Sequence, residues 1–355
     1  MKKHGIQQAV LSSLFCLLLH SSVRAQASTS MGTEFWLTYM ENLDLGFNGS
    51  PYLYIAVSSP VNTQGELQVP STGDAFPFTV AANVATVVFV PSNYSYPIGA
   101  EVYYADGLKI VADDPIDVYA VHHRLYFSEG TLVLPVERLA SEYMVVAHLD
   151  FNLASPSQLA IEATQDSTVV EITPSVQTIS FHAAHVPYTI TLDEGEVYQL
   201  QSFDDLTGTI VRSLDTAKPV AVFAGSKMGT VSCISATDHE WTQVMPFRDW
   251  GTEYAVVPYK DRGGDLFKLI ALHDNTVISI SGGVTLTLDS AEFVDQFIAN
   301  PAVISSQQAF AVVQFNQSQS CNVAVGDGCM AWVPPTSCTR SASSSARCCA
   351  RPSAR

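Results

Sequence analysis

Apolar and polar residues alternate along almost the whole chain, in short runs bounded by Gly, Pro, Asn, Asp and Ser. Runs such as YLYIAVSS, STVVEITP and TVISIS are rich in Val, Ile, Thr and Tyr and have a period of two. This pattern is typical of short strands with one buried face, so the chain is predicted to be all-β. Residues 289–298, DSAEFVDQFI, have helical spacing instead, but the internal repeat favours a strand there.

The alternating runs recur at intervals of about 110 residues. The motif GTEF at Gly32 returns as SEY at Ser141 and as GTEY at Gly251, and an apolar run follows each copy. A unit of this length suits a β-sandwich and is longer than a propeller blade. The predicted fold is therefore a tandem array of about three β-sandwich-like modules of roughly 110 residues, the last one truncated. Tyr143 and Tyr254 are expected to occupy equivalent places.

The N-terminus has the pattern of a secretory signal peptide. Lys2 and Lys3 precede an apolar stretch at residues 9–19, and residues 25–27 (AQA) form a small-x-small cleavage site. The apolar stretch is too short to span a bilayer, and no other segment is longer. We therefore expect residues 1–27 to be removed, and the mature protein to be secreted, extracellular or held at the cell surface.

The repeat also predicts the domain boundaries. The modules are expected at residues 32–140, 141–250 and 251–335, the third incomplete. The junctions are short, which indicates modules that pack together and do not swing on linkers. Residues 336–355 are poor in apolar residues and hold four Arg and no acid, so we expect a disordered or artefactual tail.

Composition excludes several function classes. Hydrophobic residues make up 47% of the chain, enough for folded cores, and the formal net charge is −17. Such an acidic chain is a poor partner for nucleic acid or anionic lipid, which both require clustered Lys and Arg. No P-loop, GxSxG or dinucleotide-binding motif occurs, so no catalytic residues and no cofactor are predicted. No metal site is predicted either, because the Cys and His spacings do not fit one.

Three of the seven cysteines, Cys233, Cys321 and Cys329, lie in folded-looking sequence. The others are in the predicted signal peptide or the tail. Cys321 and Cys329 are close in sequence, so an oxidising compartment would allow a local disulfide between them. We predict that disulfide, which leaves the partner of Cys233 open.

The densest polar and aromatic cluster is DHEW, which contains Asp238, His239 and Trp241. His239 and Trp241 are two residues apart and would share one face of an extended segment. We predict a contact surface for an extracellular protein or a glycan here. A structural role for the segment, or for the chain as a spacer in a larger surface protein, is the alternative. A rival from another class is a glycan-active enzyme that uses Asp238, Glu240 and Asp265.

In GTEFWLTYMEN from Gly32, and from DHEW through residue 280, the chain resembles the IgGFc-binding protein N-terminal domain family. The second stretch includes a proline before Trp-Gly-Thr and a Gly-Asp before an alternating strand. The resemblance covers roughly residues 32–335. It implies a secreted binding protein, here of the bacterial type, but no residue-level site. Thr237 stands where the family often has a cysteine, which is a departure that bears on the pairing of Cys233.

Overall fold

The structure is a computed structural model that describes residues 30–46, 49–94, 96–149, 155–233, 236–321 and 329–336. These residues form 23 strands and three short 3-10 helices, Val136–Arg138, Phe247–Asp249 and Gln319–Cys321. The all-β prediction is confirmed. The predicted signal peptide and almost all of the predicted tail lie outside the described residues. Within the described part, no helix has the length and apolarity needed to cross a membrane.

Module 1 consists of two sheets that share one long strand. Its strands are β1 (Gly32–Leu37), β2 (Tyr52–Ser58), β3 (Thr63–Val69), β4 (Asp74–Val80), β5 (Thr86–Phe89), β6 (Val102–Tyr104), β7 (Leu108–Arg124) and β8 (Phe127–Val133). The first half of β7 pairs with β1 and β3 in the back sheet, in the order β4-β3-β7-β1. Its second half pairs with β2 and β8 in the front sheet, in the order β5-β2-β7-β8. The apolar faces of both sheets bury a common core.

Modules 2 and 3 repeat this topology. Module 2 contains β9 (Glu142–Met144), β10 (Ser157–Ala163), β11 (Thr168–Thr173), β12 (Tyr188–Leu192), β13 (Val197–Ser202), β14 (Ile210–Ser213), β15 (Val220–Gly229) and β16 (Asp238–Gln243). Module 3 contains β17 (Gly251–Val256), β18 (Asp265–Ala271), β19 (Thr276–Ile280), β20 (Val284–Leu288), β21 (Phe293–Ile298), β22 (Ala302–Phe315) and β23 (Met330–Trp332). The back sheets are β12-β11-β14-β9 and β20-β19-β22-β17, and the front sheets are β13-β10-β15-β16 and β21-β18-β22-β23. A chain of three β-sandwich-like modules is therefore observed, and β21 is a strand, as the repeat predicted.

Tyr143 and Tyr254 occupy the equivalent places that the repeat predicts. The Tyr143 hydroxyl accepts from Ala140 N at 2.7 Å and donates to Val220 O at 2.8 Å. The Tyr254 hydroxyl accepts from Gly251 N at 2.8 Å and donates to Phe310 O at 2.6 Å. Each hydroxyl thus ties the first strand of its module to the long strand or its counterpart.

The glycines of the GTEF and GTEY motifs mark a close approach of backbone to proline. A Cβ added to Gly32 would lie 2.3 Å from Cβ of Pro135, and one added to Gly251 would lie 2.3 Å from Cβ of Pro335. Both prolines follow the last front-sheet strand of their module. In modules 1 and 3 the motif therefore packs directly against the end of the last front-sheet strand.

The front sheet of module 2 packs against module 1, and the front sheet of module 3 packs against module 2. Apolar clusters cross both junctions. One cluster joins the module 1 core to Ala160, Phe223 and Trp241 of module 2. Another joins Met144 and Val146 of module 2 to the module 3 front sheet. In addition, β6 of module 1 pairs with β13 of module 2 over three residue pairs. Trp241, Trp250 and Trp332 all pack in these junction clusters.

Candidate functional site

The DHEW segment lies inside the junction between modules 1 and 2. It forms most of β16, and all six residues of that strand are buried; His239 and Trp241 are 0% exposed. Trp241 stacks between Tyr39 at 5.1 Å and Phe223 at 5.8 Å. The predicted contact surface at Asp238, His239 and Trp241 is therefore wrong in this structure, because the front sheet that carries them is covered by module 1.

A buried polar network surrounds Glu41, which follows β1 and reaches into module 2. Its carboxylate accepts from Gly99 N at 2.9 Å and from Gln201 Nε2 at 2.8 Å, and it forms an ion pair with Lys227. Burial alone would raise the pKa of Glu41, but these hydrogen bonds and the Lys227 charge hold that pKa below its usual value. Gln158 Nε2 donates to Glu41 O at 2.9 Å. The network fixes the register of module 1 on module 2.

Two histidines meet within the same junction. The His122 and His239 rings lie 5.1 Å apart, edge to face, and both side chains are fully buried. Burial lowers the pKa of His239 to about 4, and burial followed by the His239 charge lowers the pKa of His122 well below its usual value. Both rings are therefore neutral at pH 7 and pack within the junction of modules 1 and 2, away from water.

The carboxylates of the enzyme alternative are buried, and they lie on strands of two different modules. Asp238 accepts from Ser128 N at 2.7 Å, and Asp265 accepts from Tyr259 N and from Gln314 Nε2. Asp238 and Glu240 lie on β16, whereas Asp265 begins β18 of module 3. Burial raises the pKa of Asp265. All three carboxylates are buried, and Asp265 lies in a different module from the other two, so the structure gives no support to one substrate cleft between them.

The described residues contain no group of three or more His, Cys, Asp or Glu that could hold a metal ion. The disulfide prediction is wrong: Cys321 pairs with Cys233, with their Cα atoms 5.3 Å apart, and not with Cys329. Cys329 is itself disulfide-bonded. Cys233 follows β15 and Cys321 follows β22, so the bond joins modules 2 and 3. Backbone hydrogen bonds hold the two segments together, since Ser318 N donates to Val231 O at 3.0 Å.

The structure reveals an exposed aromatic face that the sequence analysis missed. It is the outer face of the module 1 front sheet, and we call it the module 1 outer face. Tyr54 pairs with Phe89 and with Val121, and Ala56 pairs with Val87 and with Tyr119. Tyr52, Val87 and Phe89 are more than half exposed. The signal was present in the sequence, because YLYIAVSS carries large apolar residues at both phases of its alternation.

The module 1 outer face is poor in charge for a chain with a net charge of −17. The paired residues across it are Tyr52, Tyr54, Ala56, Ser58, Val87, Phe89, Asp117, Tyr119, Val121, His123, Ser128, Gly130 and Leu132. Asp117 is its only carboxylate. A contiguous exposed apolar patch of this kind marks an interaction site more often than a scattered surface residue does.

Comparison with known proteins identifies relatives of this chain. The family model described as IgGFc binding protein matches residues 129–347, from the last strand of module 1 onward. The human IgGFc-binding protein is 25% identical over 258 residues, which cover 71% of this chain and 5% of that protein. The chain thus corresponds to a small part of the length of this relative. No solved structure matches. Since the family model covers more than half of the sequence, the chain belongs to the IgGFc binding protein family.

Proposed function

We propose that this protein is a secreted, non-enzymatic binding protein, and that the module 1 outer face is its recognition surface for an extracellular protein. The observation that carries the proposal is the row of aromatic and aliphatic side chains around Tyr54 and Phe89, of which Tyr52, Val87 and Phe89 are more than half exposed. Large rings held by a sheet offer apolar area at a small entropic cost on binding.

Family membership supports a binding role. The human relative is named for binding to IgG Fc, so the Fc fragment is the first ligand to test on this chain. The proposed secretion rests on the signal-peptide pattern of residues 1–27. We also propose module boundaries at residues 32–140, 141–250 and 251–335, with residues 336–355 as a tail outside the array.

The non-enzymatic part of the proposal rests on the location of the reactive side chains. His122, His239 and Glu240 are 0% exposed within the junction of modules 1 and 2. General acid–base catalysis requires such groups within hydrogen-bond reach of a substrate. Residues that hold modules together have no substrate-facing surface. Their chemistry therefore serves the assembly of a rigid array that presents its surface.

The test is a binding panel with the mature chain immobilised on an optical sensor. The analytes are IgG Fc, other purified extracellular proteins and a set of glycans. The double variant Tyr52→Ser/Phe89→Ser removes two exposed rings, and we expect its affinity for a bound protein to fall at least about tenfold, equivalent to about 1.4 kcal/mol. Phe181→Ser is the matched control, because this ring is 81% exposed elsewhere, on module 2.

Three results would contradict the proposal. The wild-type chain could bind no member of the panel. The double variant could bind a protein as tightly as wild type does, which would place the recognition surface elsewhere. A glycan or peptide could be turned over by the purified chain, which would make the protein an enzyme. Circular dichroism of every variant checks that the fold is retained.

A further inference from the structure

The outer face of the front sheet is exposed in module 1 and covered in module 2. In module 2 the row formed by Gln199, Ala160, Phe223 and Gln243 crosses the sheet and is fully or almost fully buried. In module 1 the equivalent row is Val87, Ala56, Tyr119 and Leu132, and none of these residues is buried. The sheets are paired in the same way, so the difference lies in what covers them.

The front sheet of module 3 is covered at its centre. Its row is Asp295, Lys268, Val313 and Trp332; Lys268 and Val313 are 1% and 0% exposed, Trp332 is half-buried, and Asp295 at the edge is exposed. Lys268 Nζ lies 2.5 Å from Asp205 of module 2 and over the ring of Phe293. Two of the three front sheets are therefore interfaces with the preceding module, and among the described residues none covers the third.

Two segments of the covering module recur at both junctions, and in the first junction β8 adds contacts to β16, where Ser128 N donates to Asp238. One is the segment after its first strand: Tyr39 and Glu41 of module 1 contact Trp241 and Gln201, and His148 of module 2 contacts Phe315 at 5.0 Å. The other is the connection that leads into its long strand or its counterpart. Gly99 O there accepts from Gln199 Nε2 at 2.8 Å in the first junction, and Asp205 binds Lys268 in the second.

In module 3, parts of both segments face solvent. Val257, just after β17, is 63% exposed, and the Lys260 side chain is 91% exposed. Residues 299–301, which lead into β22, are exposed as well. Among the described residues, the module 1 outer face is therefore not covered by another module, and exposed parts of the two corresponding module 3 segments, such as Val257 and residues 299–301, cover no further front sheet.

We propose that copies of this chain associate head to tail, with the module 3 end of one copy on the module 1 outer face of the next, so that the internal junction is repeated between molecules. This inference rests on the proposed recognition surface and names its partner as a second copy of this chain. The contact is heterologous, so it leads to open chains or closed rings and not to a symmetric dimer. With a net charge of −17 on each copy, long-range repulsion opposes association, and added salt should favour it by screening.

The test is sedimentation velocity of the mature chain over a concentration series, at low and at high salt. We expect wild type to form oligomers that grow with concentration. Phe89→Glu places a charge on the module 1 outer face, and Val257→Glu places one on the segment after β17 at the module 3 end. Each variant alone should remain monomeric, with association weakened by about tenfold or more. Mixing the two variants should restore a dimer and nothing larger. The Val257→Glu copy keeps an intact module 1 outer face, and the Phe89→Glu copy keeps an intact module 3 end, so only one contact can form between them. Phe181→Glu should associate as wild type does.

Other outcomes overturn the inference. A wild-type chain that stays monomeric at every concentration rejects it. If Val257→Glu still self-associates while Phe89→Glu does not, the contact is face to face, and the head-to-tail arrangement is wrong. A chain that ends at Thr336 and no longer associates would show that residues 337–355, and not the module 3 end, cover the face. A monomeric wild type that still binds another protein through Phe89 leaves the proposed function standing and rejects only this inference.

Discussion

The hydroxyl of Tyr143 allows a sharp test of how module 2 is held together. It makes two hydrogen bonds, at 2.7 and 2.8 Å, and the ring is fully buried. Tyr143→Phe removes both bonds and leaves Ala140 N without the acceptor that it has in wild type. A buried hydrogen bond contributes about 0.5–1.5 kcal/mol net, and an orphaned buried group costs about 1–3 kcal/mol. Because Ala140 is only partly buried, the two lost bonds set the scale, and we expect a loss of about 1–3 kcal/mol in the free energy of unfolding.

Urea unfolding measures this loss, followed by tyrosine and tryptophan fluorescence and by circular dichroism. Tyr52→Phe is the matched control: the same atom is removed from an exposed ring, and stability should change by less than about 0.5 kcal/mol. Module 1 has Phe35 at the equivalent position and buries it, so the substitution is compatible with folding. A Tyr143→Phe stability within about 0.5 kcal/mol of wild type would refute the reasoning that the hydroxyl bridge stabilises the module.

Two further predictions concern the junctions. Because the pKa of His239 falls from 6.5 in the unfolded chain to about 4 in the folded chain, its contribution to stability is present above pH 6.5 and is lost as pH falls toward 4, by about 3 kcal/mol. Burial raises the pKa values of Glu129 and Glu162, so these groups change the stability in the opposite direction as pH falls. The measurement is therefore the difference in the free energy of unfolding between wild type and His239→Gln, from urea unfolding at several pH values. If the two plots of this free energy against pH are parallel, His239 does not have this role. The Cys233–Cys321 disulfide encloses a separation of 88 residues, and its replacement by two serines should lower the free energy of unfolding by about 4 kcal/mol; peptide mapping that finds either thiol free would contradict the pairing.

The repeat made most of the strand order predictable. Residues 289–298 have helical spacing, yet Phe293–Ile298 is a strand, because the repeat places these residues beside a strand that is already paired. Tyr143 and Tyr254 were predicted to be equivalent for the same reason. A regularity that appears three times outweighs local propensity, since tertiary pairing overrides weak local preferences.

The candidate site was not predictable in the same way. Alternation shows which residues share a face of β16, but it does not show whether a second module covers the face that points away from the core of module 2. His239 and Trp241 were therefore predicted to be exposed, and they are buried. The disulfide prediction was wrong for a related reason. Cys321 and Cys329 are close in sequence, whereas Cys233 is brought to Cys321 only by the packing of module 3 on module 2.

The pairing of β6 with β13 separates the unit of repetition from the unit of folding. Val102–Tyr104 belongs to module 1 by sequence but completes a sheet edge of module 2. During synthesis from the N-terminus, this strand must wait for its partner until residues 197–199 have left the ribosome. A fragment cut at the end of module 1 would carry an open strand, and a fragment that begins with module 2 would have an open edge, which is a template for aggregation. Gene duplication can therefore copy the sequence of a module without copying a part that is stable when isolated.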